Sequence, residues 1–274
     1  MPTDHSRRRF IADLGKGVFA VAIFGVGAAA CSTSSSTTTA AAATTLGAAT
    51  SSPPTTQGST AGASPTEPPP TAGAATVGRV SLGFVSAYVL ARGSDAAVVD
   101  TGVEGSAGAI AAVLSELGLT WSAVGHVILT HLHGDHVGSL GAVMAAADGA
   151  AGYAGAADLS ALSSPRPLTA VGDGDAVFGL DIVATPGHTP GHISVLDPVG
   201  RALVAGDAIN GAGSGLDAPT GVAGPNPRFT PDMDTAVASV HKLTTRDIDA
   251  IYFGHGEPLI GGAGAALEGL AAQL

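Results

Sequence analysis

An α+β sandwich, two sheets packed face to face with helices outside, is the fold class predicted for residues 77–274. Three observations predict it. Short apolar runs with strand character alternate with segments of helical spacing, in two successive halves of the chain. Four apolar runs end in turns that carry aspartate or histidine: Val98-Val99 before Asp100, Val127-Ile128-Leu129 before His131, Val204-Ala205 before Asp207, and Tyr252-Phe253 before His255. The boundary is set by composition, which changes near Val77 from Ala, Ser, Thr and Pro to ordinary globular sequence. Hydrophobic content is 45% and aromatic content 4%, so the core rests on Ala, Val, Leu and Ile.

Residues 1–30 read as an address. Ser6-Arg7-Arg8-Arg9-Phe10-Ile11 resembles the twin-arginine export signal, with Arg7 and Arg8 as its pair. The apolar stretch 17–30 comes next, too short for a bilayer span of roughly 20 residues. Ala28-Ala29-Ala30-Cys31 is similar to a bacterial lipoprotein processing site. That resemblance implies a lipid on Cys31, contact with the export machinery, and a location at the outer face of the cytoplasmic membrane or in the cell envelope. Simple cleavage and release is the alternative. Cys31 is the one cysteine, which excludes an intrachain disulfide and a thiolate metal cluster. Residues 31–76 contain Glu67 as their sole charged group and Leu46 as the one large apolar residue before Ala75. Such a segment buries too little surface to offset its ordering entropy, so a flexible tether is expected.

Within residues 77–274 the elements come in order. Residues 80–91 predict two short strands, and Ala96-Ala97-Val98-Val99 a third that ends at Asp100-Thr101-Gly102. Ile110, Val113, Leu114 and Leu117 recur at helical spacing, predicting a helix over 106–117 stopped by Gly118. A strand over 126–130 runs into His131-Leu132-His133-Gly134-Asp135-His136. A helix over 137–147, a short strand and a weaker helix come next. A strand-rich run spans 168–208 and a Gly/Pro/Asn-rich loop spans 210–227. A helix over 231–243, a strand over 248–253 and a small-residue helix over 263–274 complete the chain.

The His131-to-His136 run carries the chemistry. Residues two apart in extended chain face the same side, so His131 and His133 can share one focus. A turn then lets Asp135 and His136 reach a second. Imidazole and carboxylate suit Zn²⁺ at about 2.0–2.2 Å. His188 lies in Thr185-Pro186-Gly187-His188-Thr189-Pro190-Gly191-His192, where Pro and Gly set sharp turns. Asp207 and His255 each close an apolar strand.

Together these segments resemble the metallo-β-lactamase superfamily over residues 77–274. The resemblance implies a four-layer αββα sandwich and a pair of metal ions, zinc first, with iron or manganese as alternatives. His131, His133 and His188 would hold one metal, and Asp135, His136 and His255 the other, with Asp207 bridging. Asp100 would orient the ligand loop by hydrogen bonds. His192 is either a further orienting group or a histidine satisfied in the core. His5, His126 and His241 stay outside the site.

The expected chemistry is hydrolysis by a hydroxide between the metals, with Asp135 taking part in proton transfer. The expected substrate is a small ester, thioester, lactone, phosphodiester or amide. Four of the 11 basic residues lie in the first sixteen positions, so the rest is strongly acidic and a nucleic-acid partner is excluded. The sequence runs 19 residues past His255 (274 − 255), so the helical domain of glyoxalase II relatives is expected to be absent. Asp207 as bridging ligand speaks against β-lactam hydrolysis. The cleft is expected between residues 210 and 229, where Arg228 is the one basic residue. Two other expectations stand beside the hydrolase. One is a mononuclear-iron persulfide dioxygenase using His131, His188 and Asp207. The other is a surface lipoprotein that binds metal or ligand without catalysis.

Overall fold

The computed structural model describes residues 73–274. The expectations for Arg7, Arg8 and Cys31, and for the tether as far as residue 72, lie outside the described residues.

Among the described residues, fourteen strands and five α-helices are laid down in the order β1 (Thr76–Ser81), β2 (Ser86–Arg92), β3 (Asp95–Val99), α1 (Ala107–Glu116), β4 (Val124–Leu129), α2 (Gly134–Val137), α3 (Leu140–Ala146), β5 (Ala151–Gly155), β6 (Leu168–Val171), β7 (Ala176–Val177), β8 (Leu180–Ala184), β9 (Ile193–Asp197), β10 (Ala202–Gly206), β11 (Asn210–Gly211), β12 (Val222–Ala223), α4 (Met233–Leu243), β13 (Ala250–Phe253), β14 (Leu259–Ile260) and α5 (Ala263–Ala271). One sheet has the order β1-β2-β3-β4-β5-β6 and the other β14-β13-β10-β9-β8-β7. The first is antiparallel from β1 to β3 and parallel from β3 to β6. In the second, β10 and β13 are the parallel pair.

The strands read as continuous apolar runs because both faces are buried. In β3, Ala96 and Val98 pack toward α1 and α3, whereas Ala97 and Val99 pack toward the other sheet. In β2, Ala87 and Val89 take the helix side and Tyr88 and Leu90 the sheet side. In β10, Leu203 and Ala205 pack under α4 and α5, while Val204 joins the layer between the sheets. Three apolar layers therefore separate four structural ones, an αββα sandwich. Arg92 and Asp197 tie the two sheets together by a buried ion pair of 2.8 Å. Among the described residues no helix is long and apolar enough to cross a membrane.

Three local expectations are corrected. The helix over 137–147 is broken into α2 and α3. The carbonyl of His136 accepts from Thr101 N (2.7 Å) and Thr101 Oγ1 (3.1 Å), so it is spent on the neighbouring strand end and not on the helix ladder. The weaker helix after β5 is only a 3₁₀ turn, Leu159–Ala161. The 210–227 loop contains the ribbon β11–β12, with Asn210 opposite Ala223.

Candidate metal centre

The site forms where β4, β10 and β13 end at their carboxyl termini and where the loop from β8 to β9 returns. The β10–β13 register shifts between Val204 and Gly206, so that Gly206 lies opposite Phe253. That offset brings Asp207 beside His255. Gly254 must lack a side chain, because a Cβ there would overlap Asp207 Oδ1 and His136 Cε1.

Two groups of donor atoms converge. His131 Nε2 and His188 Nε2 lie 3.1 and 2.9 Å from His133 Nδ1. Ligands at 2.0–2.1 Å around a tetrahedral metal sit about 3.3 Å apart, so these three nitrogens approach a tetrahedral face. In the second group, His255 Nε2 is 3.4 Å from Asp135 Oδ2, and His136 Nε2 is 3.9 Å from the same oxygen. Asp207 stands between the groups. Its Oδ2 is 3.4 Å from His188 Nε2 and 3.2 Å from His255 Nε2, and its Oδ1 is 3.3 Å from His136 Nε2.

Around Asp207 two of the donor atoms are left without partners. His136 Nε2 and Asp207 Oδ1 are buried and make no hydrogen bond, although 3.3 Å separates them. An orphaned nitrogen and an orphaned carboxylate oxygen aimed at common space fit a cation between them. Three overlapping groups, His131/His133/His188, His131/His136/Asp207 and Asp135/His136/His255, each bring their donor atoms within 4.8 Å of one another. The residues present thus fit a metal-binding site.

The opposite ring nitrogens are held from behind. His136 Nδ1 donates to Asp100 Oδ2 at 2.8 Å, and His255 Nδ1 donates to the Phe84 carbonyl at 2.7 Å. The Thr130 hydroxyl donates to Asp100 Oδ2 (2.8 Å), so Thr130 Oγ1 receives from His131 Nδ1 at 3.0 Å. In these three rings Nδ1 carries a proton and is spent outward, which leaves Nε2 as the atom that faces inward. His188 Nδ1 pairs with Thr230 Oγ1 at 3.2 Å. Asp100 adopts φ +62°, a left-handed conformation that aims its carboxylate at both Thr130 and His136.

Electrostatics divide the histidines. Burial holds His131 well below 6.5 and takes His188 to about 4. Burial also lowers His136, but Asp207 and Asp100 outweigh it and leave it well above 6.5. For His255, burial is outweighed by Asp135 and Asp207, and the value rises to about 10. Burial raises Asp207, but His136 and His255 draw it well below the carboxylate range. Asp135 is also lowered, chiefly by His255. The carboxylates thus favour positive charge at His136 and His255, whereas burial keeps His131 and His188 neutral.

The structure brings Asp100, His131, His133, Asp135, His136, His188, Asp207 and His255 into one cluster. His192 joins it from behind Asp207. His126 lies elsewhere, against Tyr153 and Phe178. Thr130, Thr230 and Asp158 were not legible as site residues. Asp158 is fully buried and accepts from Thr189 Oγ1 and Gly191 N, both at 2.7 Å, thereby fixing the loop of His188. A cavity of about 550 Å³ opens over the centre, with Phe84 and Phe229 among the residues that line it. Asn210, Ser214 and Asn226 contribute to its wall, as expected from the 210–229 segment. Arg228 does not line it; its guanidinium lies 5.3 Å over the Phe229 ring. Arg79 from β1 lines it instead.

The model of the metallo-beta-lactamase superfamily matches residues 80–255. The chain belongs to the metallo-β-lactamase superfamily. Its superfamily relatives include the probable metallo-hydrolase YflN of Bacillus subtilis, 44% identical over 84 residues, which are 29% of this chain and 32% of YflN. YobT, also of Bacillus subtilis, is 27% identical over 197 residues, covering 63% of this chain and 83% of YobT. Among solved structures, TTHA1623 in a di-iron-bound form superposes with a TM-score of 0.54 at 25% identity, covering 69% of this chain and 92% of that one. The match to YflN spans about a third of that relative's length.

Proposed function

We propose that this chain is a metal-dependent hydrolase of a small ester, thioester, lactone, phosphodiester or amide, working with two metal ions. The observation that carries it is Asp207, whose two carboxylate oxygens reach both donor groups at 3.2–3.4 Å. His131, His133 and His188 would hold one ion, Asp135, His136 and His255 the other, and Asp207 both. When bound, such a pair supplies Lewis acidity and hydroxide at neutral pH. The protein's own contribution is positional. Asp100, Thr130 and the Phe84 carbonyl keep three Nε2 lone pairs directed inward, so little reorganisation accompanies reaction. Asp135 faces the cavity with its side chain 28% exposed, where it can pass a proton to a leaving atom. The proposed metal is zinc, which the imidazole and carboxylate donors suit; iron, as in TTHA1623, is the competing choice.

A mononuclear-iron dioxygenase would need only His131, His188 and Asp207. It would leave the orphaned Nε2 of His136 and the Asp135–His255 pair without a task. Asp135→Ala and His133→Ala test the proposal. Each is expected to lower turnover at least ~100-fold and to reduce metal content. Near wild-type turnover with the metal lost would overturn it. The export and lipid reading of Arg7, Arg8 and Cys31 is likewise proposed, on sequence alone. Incorporation of labelled palmitate that is lost in Cys31→Ser would support it, and unlabelled chain would refute the anchor.

A further inference from the structure

The cavity over the centre holds one guanidinium, and its present partner is weakly held. Arg79 is the sole arginine or lysine among the described residues that line it. Its inner face is fixed by the protein: Nε donates to Ser86 Oγ at 3.0 Å and Nη2 to the Gly256 carbonyl at 3.0 Å. The outer edge meets a carboxylate, with Nη1 2.5 Å from Glu257 Oε2 and Nη2 3.3 Å from Glu257 Oε1. The two partners differ in anchorage. Arg79 is 22% exposed, whereas Glu257 is 71% exposed. Ion pairs of this kind contribute little, because water competes for the free partner. Arg79 is therefore a held, preorganised fork, and Glu257 is a carboxylate that can swing into solvent.

We propose that Arg79 is the anion-recognition residue of this cavity, and that Glu257 is an internal carboxylate which the carboxylate of a substrate replaces. The inference rests on the hydrolase reading for the bond that is cleaved, but not for the binding itself. It narrows the substrate class to small acyl compounds that carry a carboxylate away from the scissile bond. The exposed rings of Phe84 and Phe229 are placed to cover the chain between the two ends. An arginine fork presents two parallel donors that match a carboxylate, which a neutral amide cannot equal. Glu257 also serves when the cavity is empty. It neutralises a guanidinium that would otherwise stand unpaired beside the donor groups, and its own carboxyl is held below the usual range by Arg79.

A matched pair of substrates tests this: the 4-nitrophenyl monoester of adipic acid and the same ester with its far carboxylate made into an amide. The quantity read is the ratio of kcat/KM, acid over amide, in the zinc-loaded full chain. In Arg79→Gln the ratio is expected to fall roughly tenfold, the worth of a charge-assisted hydrogen bond. In Glu257→Gln it is expected to rise, since the internal competitor is gone. A purely structural Arg79, propping the His255 loop, would move both substrates together. An unchanged ratio in Glu257→Gln overturns the proposal even where Arg79→Gln does not fold. Calorimetric titration with adipate separates this proposal from the hydrolase reading. If neither ester is cleaved by the wild type, hydrolysis of such esters fails. Adipate bound roughly tenfold more weakly by Arg79→Gln would still uphold Arg79, and equal affinities would dismiss it.

Discussion

The backbone N–H of Asp207 donates to His192 Nε2 at 3.0 Å. That bond fixes the direction of a buried chain. With Nε2 accepting, His192 Nδ1 donates to Thr185 Oγ1 at 2.8 Å. Thr185 then donates to Ser194 Oγ at 3.0 Å, and Ser194 donates to the Ala205 carbonyl at 3.0 Å. The chain begins and ends on the turn that carries Asp207. Burial takes His192 down to about 3, so its Nε2 stays free to accept.

Replacing His192 by Ala leaves a buried N–H without an acceptor beside Asp207, a cost of about 1–3 kcal/mol. Zinc affinity is expected to fall roughly 10–100-fold, as for other groups that support a ligand from behind. His192→Gln keeps an acceptor within reach and should recover part of the loss. Competition with a chromophoric chelator measures both. Unchanged affinity in His192→Ala would reduce the residue to core filling.

Asp100→Asn probes the proton on His136. Asparagine tolerates the left-handed backbone at φ +62°, so the turn is preserved. Its amide presents N–H where a carboxylate oxygen stood and drives the His136 proton to Nε2, which blocks the inward lone pair. The variant is expected to keep its fold and to lose the metal of the Asp135/His136/His255 group first. Full retention of both metals would show that Asp100 does not set the tautomer.

Stability of the metal-free protein should peak near pH 6.5. Below that value the unfolded chain binds protons that His188 (about 4) and His192 (about 3) refuse in the folded state, so stability falls as pH falls from 6.5 to 4. His136 and His255 have raised values, the latter about 10. Their contribution is complete below 6.5 and is lost as pH rises toward 10. Urea midpoints measured in chelator from pH 4.5 to 9.5 check this. A midpoint that climbs steadily with pH would contradict it.

Asp158→Ala should weaken the fold and the His188 loop together. It leaves Thr189 Oγ1 and the Gly191 N–H buried without their acceptor, a loss of about 2–5 kcal/mol. Chemical denaturation of the metal-free protein measures the first effect. A destabilisation below about 0.5 kcal/mol, the range of ordinary surface changes, would refute the clamp.

Much of this architecture was legible because two-sided burial writes itself into sequence. Val98-Val99 and Val127-Ile128-Leu129 are apolar on both faces, and the residues after each run are polar because the chain there leaves the sheet for the site. The expected ligands, Asp100 and the segment around His188 all fall together in the structure. The features that escaped depend on contacts distant in sequence. Arg79 and Glu257 are 178 positions apart, and no local pattern pairs them. Arg228, the basic residue nearer the cleft in sequence, instead stacks on its neighbour Phe229. Asp158 lies in a stretch that the sequence marks only as a weaker helix, and the loop it clamps is 31 and 33 positions away. Thr130 was adjacent to His131, yet its role depends on Asp100 standing 30 positions upstream. The helix over 137–147 was overextended because apolar spacing cannot register that the His136 carbonyl is taken by Thr101.

Metal content per chain tests the central claim most directly. The full chain, loaded with zinc and freed of excess, is expected to hold two ions by elemental mass spectrometry, and His255→Ala about one. A folded wild-type chain that holds one ion or none, or a His255→Ala variant that keeps the wild-type content, would contradict a two-metal site bridged by Asp207.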